Sequence, residues 1–184
     1  MKRFSFPLVF LLLAATLLPG RGVEFGAYLD GIFPGDNLLK EIYGSSPETE
    51  FGLTAGIPIW NGFSLRLAAG HFQRNGETSY TGEVSRLRLY PLAMELRYTL
   101  GRGGVRPYVQ AGYVHLIIRE AAGIGEYKEQ RGGPALSVGT EFSLSSRFHF
   151  ECRVRYTDVQ VFGPLDASIQ MGGLSAGVAF LVHL

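Results

Sequence analysis

Three side chains in the middle of the chain have the residue types of a hydrolytic triad: His71, Ser85 and Glu83. If the polar segment between them turns near Thr78, His71 lies directly across from Ser85 on a neighbouring strand. A serine activated by a histidine, with an acid nearby, can attack an acyl ester. Alternatively, these residues are polar because they lie beside the polar headgroups of membrane lipids. The sequence favours this second interpretation, because Glu83 is not placed to orient His71.

A second group of side chains can form ion pairs. Acidic and basic residues recur at alternate positions of segments that read as β-strands, so they share one face of each strand. The group holds six acids and six arginines: Glu24, Asp30, Glu50, Glu95, Glu141 and Glu151, with Arg66, Arg86, Arg88, Arg97, Arg153 and Arg155. In a closed barrel this face would line a narrow lumen, where arginines and carboxylates can pair with bidentate geometry.

The remaining polar residues predict no cofactor and no metal site. The four histidines are spread along the chain and Cys152 is the only cysteine, so no His or Cys pair has the spacing of zinc ligands. His149 and His183 fit the charged face, where we expect them to form hydrogen bonds. The net charge of +1 gives no reason to expect a nucleic-acid partner.

Long strands must position these residues, and the segment Leu87–Glu120 holds the clearest pair of them. Apolar residues occupy every second position from Met94 to Leu100, and a glycine-rich turn at residues 101–104 leads to the next strand. Upstream of Pro91 the apolar residues occupy odd positions instead of even ones. We therefore predict a β-bulge at Pro91-Leu92, where proline is tolerated.

The same alternation along the chain predicts an eight-stranded antiparallel transmembrane β-barrel. The predicted strands are Val23–Phe33, Glu50–Trp60, Phe63–Arg74, Leu87–Leu100, Val105–Arg119, Pro134–Leu144, Phe148–Val161 and Met171–Leu184. Asn61-Gly62 is a strong hairpin signal. Long connections (Pro34–Glu48, Asn75–Thr81, Ala121–Gly133 and Phe162–Gln170) alternate with short turns, as in barrels with short periplasmic turns and long outer loops.

The direction of the charged face decides between two classes of barrel. A charged side chain facing lipid near the bilayer midplane costs about 2–4 kcal/mol, whereas ion pairs in a lumen compensate each other. The interior of eight strands is just wide enough to be filled by side chains. We therefore expect an up-and-down barrel whose lumen is plugged by ion pairs. The opposite assignment would give a soluble lipocalin-like ligand carrier.

The N-terminus has the layout of a secretory signal peptide. Lys2 and Arg3 precede an apolar run from Phe4 to Leu18, and small residues at Gly20 and Gly22 fit a cleavage site. We expect residues 1–22 to be removed, and residues 23–184 to form the barrel domain.

Three segments carry a resemblance to a known family: YPLAMELRYTL at 90–100, RPYVQAGYV at 106–114 and GLSAGVAFLVHL at 173–184. With the signal peptide, they resemble the bacterial outer-membrane protein β-barrel domain family, the small OmpA-like barrels. The resemblance implies a Gram-negative outer-membrane location, contact with outer-membrane lipid and lipopolysaccharide, and the barrel-assembly machinery as a partner during biogenesis.

Fold alone does not fix the activity of such a barrel. We expect a monomer without enzymatic activity, in a structural role or with loops that bind a partner outside the cell. Two other interpretations stay open: a narrow-channel, porin-like protein, and an outer-membrane lipid A acyl-ester hydrolase using His71, Ser85 and Glu83. Lipid A deacylases carry a His-x-Ser spacing that is absent here.

Overall fold

The fold is described from a computed structural model, which covers residues 22–35, 47–77, 84–101, 103–122, 125–162 and 168–184. Residues 1–21 lie outside the described residues, so the signal peptide stays a prediction. Most residues of two predicted loops, Pro34–Glu48 and Asn75–Thr81, also lie outside the described residues. Within the described ranges, no helix is long and apolar enough to cross a membrane.

The described chain forms ten β-strands. They are β1 (Glu24–Pro34), β2 (Glu48–Trp60), β3 (Phe63–Glu77), β4 (Val84–Thr99), β5 (Val105–Ala122), β6 (Gly125–Ser143), β7 (Phe148–Thr157), β8 (Gln160–Phe162), β9 (Ser168–Gln170) and β10 (Gly173–His183). Eight of them form one closed barrel in the order β1-β10-β7-β6-β5-β4-β3-β2, while β8 and β9 pair with each other. The predicted eight-stranded antiparallel barrel is confirmed.

The first and last barrel strands close the wall. Glu24 is the cross-strand partner of His183 and Pro34 that of Gly173, and the N–H of Leu184 donates to the carbonyl of Val23 at 2.9 Å. Because every strand pairs on both sides, the barrel wall has no free edge.

Short turns join the strands at one end of the barrel, which we call the turn end, and the long connections lie at the other, the loop end. The predicted Asn61-Gly62 hairpin is present, with φ of 39° and 86°. Positive φ at both positions is the requirement of a type I′ turn, which matches the twist of the flanking strands. The hairpin turn predicted at Asn61-Gly62 is therefore confirmed.

The outward face is apolar over most of the wall. Large hydrophobic side chains exposed there include Leu29, Leu53, Met94, Leu96, Val109, Leu136, Val138, Val154 and Val178. Aromatic side chains flank them: Trp60, Tyr98, Phe148 and Phe180 toward the turn end, and Phe33, Phe51, Tyr113 and Tyr156 toward the loop end. An apolar band between two aromatic girdles is typical of membrane barrels and is the reverse of a soluble carrier.

Strand β4 corrects the predicted bulge. It runs without a register shift from Val84 to Thr99, with Leu87 and Leu89 buried inside. Pro91 adds no residue; without an N–H, it only interrupts the ladder to β3 locally. The change of phase in the sequence reflects a change in polarity: near the loop end the interior becomes apolar and the exterior becomes charged.

The long hairpin of β5 and β6 corrects a second boundary. The predicted loop Ala121–Gly133 is mostly strand, since β5 continues to Ala122 and β6 begins at Gly125. The two strands keep one register from Val105↔Phe142 to Ala122↔Gly125. This hairpin therefore extends the barrel wall beyond the apolar band.

The last connection folds into the barrel. Strand β7 ends at Thr157, short of the predicted Val161, and the region predicted as the loop Phe162–Gln170 contributes β9. Val159 and Val161 are buried against an apolar cluster inside the loop end, formed with Phe72, Leu87, Leu89, Ala93, Val114, Leu116, Ile118 and Ala135. The N–H of Met171 donates to the carbonyl of Val159 at 2.8 Å. The β8–β9 hairpin thus fills the outer half of the lumen.

Candidate functional site: the charged lumen and the basic patch

Glu151 lies at the centre of the lumen and is fully buried. Its Oε2 accepts hydrogen bonds from Nη1 of Arg66 and from Nη1 of Arg97, each at 2.9 Å. Arg66 also pairs with Glu24, and Arg97 donates to Oε2 of Glu141 at 2.5 Å. Because each guanidinium reaches two carboxylates, these five side chains form one connected network.

The network spans the barrel from wall to wall. Arg66 is on β3 and Glu151 on β7, and three strands separate β3 from β7 in either direction around the barrel. Glu95 on β4 pairs at 3.0 Å with Arg155 on β7, with two strands between them on one side of the barrel and four on the other. Bonds between opposite strands occupy the space that a pore would need.

A second layer lies further toward the loop end. Arg153 binds Asp30 with two parallel contacts, Nε to Oδ1 at 3.2 Å and Nη2 to Oδ2 at 2.7 Å. Gln110 donates to Oε2 of Glu95 at 2.5 Å. Tyr28 donates to Oε1 of Glu50 at 2.6 Å. The forked geometry of arginine suits such sites, since it satisfies two acceptor atoms at once.

Two tyrosines stack on the buried guanidinium groups. Arg97 lies 3.7 Å from the ring centroid of Tyr108, and Arg153 lies 4.4 Å from that of Tyr28. Gly139 leaves room for the side chain of Tyr108. A Cβ at position 139 would collide with the ring and hydroxyl of Tyr108 and with the carbonyl of Cys152. The aromatic faces stabilise the desolvated cations by cation–π interaction.

The structure places ten of the twelve predicted lumen residues inside the barrel: Glu24, Asp30, Glu50, Arg66, Glu95, Arg97, Glu141, Glu151, Arg153 and Arg155. Arg86 and Arg88 must be corrected. Their side chains point outward, and they donate to Asn75 and Gln73 on the neighbouring strand, each at 3.3 Å. The reason is the regular course of β4, which keeps even-numbered residues on the outer face.

Arg106, which pairs with Glu141 at the turn end, was not predicted from the sequence. The partners Tyr108 and Gln110 were not predicted either. All three are even-numbered residues of β5, so extending the parity of the charged face to that strand would have found them. An ion pair between Glu48 and Arg74, at 3.1 Å, was missed as well.

His71 and Ser85, two members of the alternative hydrolytic triad, do not meet. His71 lies on the outer face between the rings of Phe51 and Tyr90, opposite Tyr90 in register. Ser85 pairs with Gly76 instead, points into the barrel, and donates to Oε1 of Glu120 at 2.8 Å. Glu83 lies outside the described residues. Because His71 and Ser85 are on opposite faces of the wall, they cannot exchange a proton.

Four basic side chains form a patch on the outer face just beyond the apolar band. Arg88, Arg119 and Lys128 are consecutive cross-strand partners on β4, β5 and β6, and Arg86 lies one outward position further along β4. We call these four residues the basic patch. Among the described residues, none of the four forms an ion pair. The patch therefore carries a net positive charge.

Tyr127 borders the basic patch in the same open cavity. Its hydroxyl donates to Glu129, and this hydrogen bond raises the pKa of Tyr127 above its ordinary value. A protonated phenol carries no charge, so Tyr127 itself does not offset the four cations.

Comparisons with known proteins agree with this architecture. Residues 7–180 match the family model described as "Outer membrane protein beta-barrel domain". The outer membrane protein OprG from Pseudomonas aeruginosa superposes with a TM-score of 0.66 at 15% identity, over 90% of this chain and 96% of OprG.

Two further solved structures share the fold. The N-terminal β-barrel domain of Pseudomonas aeruginosa OprF has a TM-score of 0.62 at 16% identity, over 89% of this chain and 97% of that domain. Outer Membrane Protein W of E. coli has a TM-score of 0.57 at 15% identity, over 90% of this chain and 100% of that protein. No curated protein matches the sequence.

Proposed function

We propose that this chain, which belongs to the outer membrane protein beta-barrel domain family, is a non-conducting structural barrel of the bacterial outer membrane that binds the phosphate groups of outer-leaflet lipids. Family barrels carry short turns on the periplasmic side and long connections outside. In that orientation the loop end faces the exterior, and the basic patch lies at the level of the outer lipid headgroups.

The observation that carries the proposal is the row Arg88–Arg119–Lys128. Neighbouring strands are about 4.8 Å apart, so three cations occupy about 10 Å of the outer wall. The side chains of Gln73 and Asn75, which bond two of the arginines, are neutral. A phosphorylated lipid headgroup supplies the missing negative charge, and its acyl chains would lie along the apolar band directly below.

The charged lumen supports the non-conducting part of the proposal. The network from Arg66 to Glu151 crosses the barrel, and the apolar cluster with the β8–β9 hairpin fills the half above it. The cavity between these two regions has a volume of only about 80 Å³. We therefore expect a barrel that strengthens the membrane and offers no route for solutes, rather than a narrow channel.

Titration of the purified barrel with bisphosphorylated lipid A tests the lipid-binding part. The variant with Arg86, Arg88, Arg119 and Lys128 all changed to Gln should bind at least tenfold more weakly, because each basic side chain near an anionic surface contributes about 1 kcal/mol. Arg147→Gln, which removes an exposed arginine at the turn end, is the matched control and should bind as the wild type does. If the variant with all four substitutions bound lipid A as tightly as the wild type does, the proposal would be contradicted.

Planar-bilayer recording tests the non-conducting part. The wild-type barrel should give no steady conductance, because ion pairs between opposite strands fill the lumen. A variant with Arg66→Ala and Glu151→Ala loses the central ion pair but keeps the apolar cluster above it, so it should also give no steady conductance if it still folds, as judged by its migration with and without heating. Steady conductance of the wild type would favour the narrow-channel alternative instead.

A further inference from the structure

Four side chains with metal-binding atoms meet at the turn end of the lumen. They are Glu24 on β1, His183 on β10, His149 on β7 and Glu141 on β6, which are four consecutive strands of the barrel wall. The two imidazole rings stack, with centroids 4.0 Å apart. One ligand atom each of Glu141, His149 and His183 lies within 4.8 Å of the other two.

The distances between donor atoms fit a small cation. Nδ1 of His149 lies 2.9 Å from Oε1 of Glu141, and Nε2 of His183 lies 2.7 Å from Oε2 of Glu24 and 3.8 Å from Oε1 of Glu141. A tetrahedral Zn²⁺ with bonds of about 2.1 Å holds its donors about 3.4 Å apart. The observed distances lie on either side of that value, so small side-chain shifts suffice.

Arginines hold the other oxygen of each carboxylate. Arg66 binds Oε1 of Glu24, and Arg97 donates to Oε2 of Glu141. Oε2 of Glu24 and Oε1 of Glu141 are therefore the oxygens turned toward the imidazoles. Such outer hydrogen bonds fix the orientation of metal ligands and are a regular part of metal sites.

The site already attracts a cation. The Nη2 atom of Arg106 contacts Oε1 of Glu141 and lies 2.9 Å from Nδ1 of His149. Arg106 is the most exposed guanidinium of the lumen network, with a quarter of its side chain accessible, and it borders an open cavity of about 640 Å³ at the turn end. It can therefore swing aside into this cavity when a metal ion enters.

One buried imidazole atom is left without a partner. His149 is 4% exposed, and its Nε2 makes no hydrogen bond within the described part of the chain. The ring thus has two nitrogens that a metal ion could use: Nδ1, which already faces Oε1 of Glu141, and Nε2, which has no bond to lose. This observation is independent of the convergence of the carboxylates.

We propose that Glu24, Glu141, His149 and His183 form a binding site for Zn²⁺ or a similar transition-metal ion at the periplasmic mouth of the barrel, with Arg106 as a competing internal cation. Two imidazoles and two carboxylates are a donor set that suits Zn²⁺. Ca²⁺ and Mg²⁺ prefer oxygen ligands and fit two imidazole nitrogens less well. Bound metal joins four neighbouring strands, including the β1–β10 seam. The site is separate from the basic patch and does not depend on it.

Isothermal titration of the chelator-stripped, untagged barrel in detergent with Zn²⁺ tests the proposal. The wild type should bind one ion per barrel, and the variant with His149→Ala and His183→Ala should bind at least a hundredfold more weakly. His71 and His115 lie on the outer strand positions, so His71→Ala with His115→Ala is the matched control and should leave binding unchanged.

Arg106→Gln separates a metal site from a simple ion-pair cluster. It removes the competing guanidinium but leaves all four ligands, so Zn²⁺ should bind more tightly than to the wild type. Weaker binding by this variant, no stoichiometric uptake by the wild type, or full binding by the double histidine variant would each overturn the proposal. All variants are first shown to migrate as folded barrels, so a loss of zinc cannot be a loss of fold.

Discussion

Glu151 shows how much one side chain can matter in a sealed lumen. It separates Arg66 from Arg97, and all three side chains are buried. Desolvated charges are stable only when they are paired and hydrogen-bonded. Removal of the carboxylate therefore leaves two guanidinium groups facing each other without the anion between them.

Glu151→Gln should lower the free energy of unfolding by about 3–5 kcal/mol, the usual cost of breaking a buried ion pair by removing one partner. Urea denaturation of the barrel in lipid vesicles measures the change. Glu129→Gln is the control: its partner Arg131 is exposed at the rim, so its effect should stay near or below about 1 kcal/mol. A loss of similar size in both variants would refute the central role of Glu151.

At the scale of elements, β4 shows why a sequence pattern can mislead. A change of apolar phase at Pro91 has two explanations, an inserted residue or an inversion of the environment around an unbroken strand. Leu87 and Leu89 pack inside with Phe72 and Leu116, so the second explanation is correct. A single strand cannot show this, because the polarity of the lumen is a property of all eight strands together.

The β8–β9 hairpin depends on Val159 for its position inside the barrel. Val159→Asp would place a carboxylate among apolar side chains, where no partner compensates its desolvation. Amide hydrogen exchange should show loss of protection in β8 and β9 while β4 and β5 stay protected. Gln160→Asp is the control, because the side chain of Gln160, which follows Val159, is exposed. Unchanged protection in the Val159 variant would mean that packing of this valine does not hold the hairpin.

At the scale of the whole molecule, the apolar outer band predicts behaviour in detergent. A closed barrel with paired edges should resist cold sodium dodecyl sulfate and migrate differently from the boiled chain. Electrophoresis of the membrane fraction, heated and unheated, measures this shift. A protein found in the aqueous fraction with one mobility would contradict the assignment of the apolar face to lipid.

The fold followed from the sequence because period-two alternation and turn residues are local signals. Asn61-Gly62 specified its own hairpin, and the parity of Glu95 and Arg97 gave the correct inner face. Pairings within the lumen are not local. Arg66 reaches Glu151 across 85 positions of the chain. The separation of Ser85 from His71 depends on register: Ser85 pairs with Gly76, five residues beyond His71, and an odd displacement puts the two side chains on opposite faces.

The paired seam between β1 and β10 makes the barrel wall a ring in which no strand is first or last. Joining the two ends of the wall and opening it at another tight turn, such as Asn61-Gly62, would create a circular permutant with the same neighbours around every strand. The order of synthesis would change, while the set of cross-strand partners, and with it the lumen, would remain. In this barrel the linear numbering of the chain is thus one of several equivalent routes around a single closed surface.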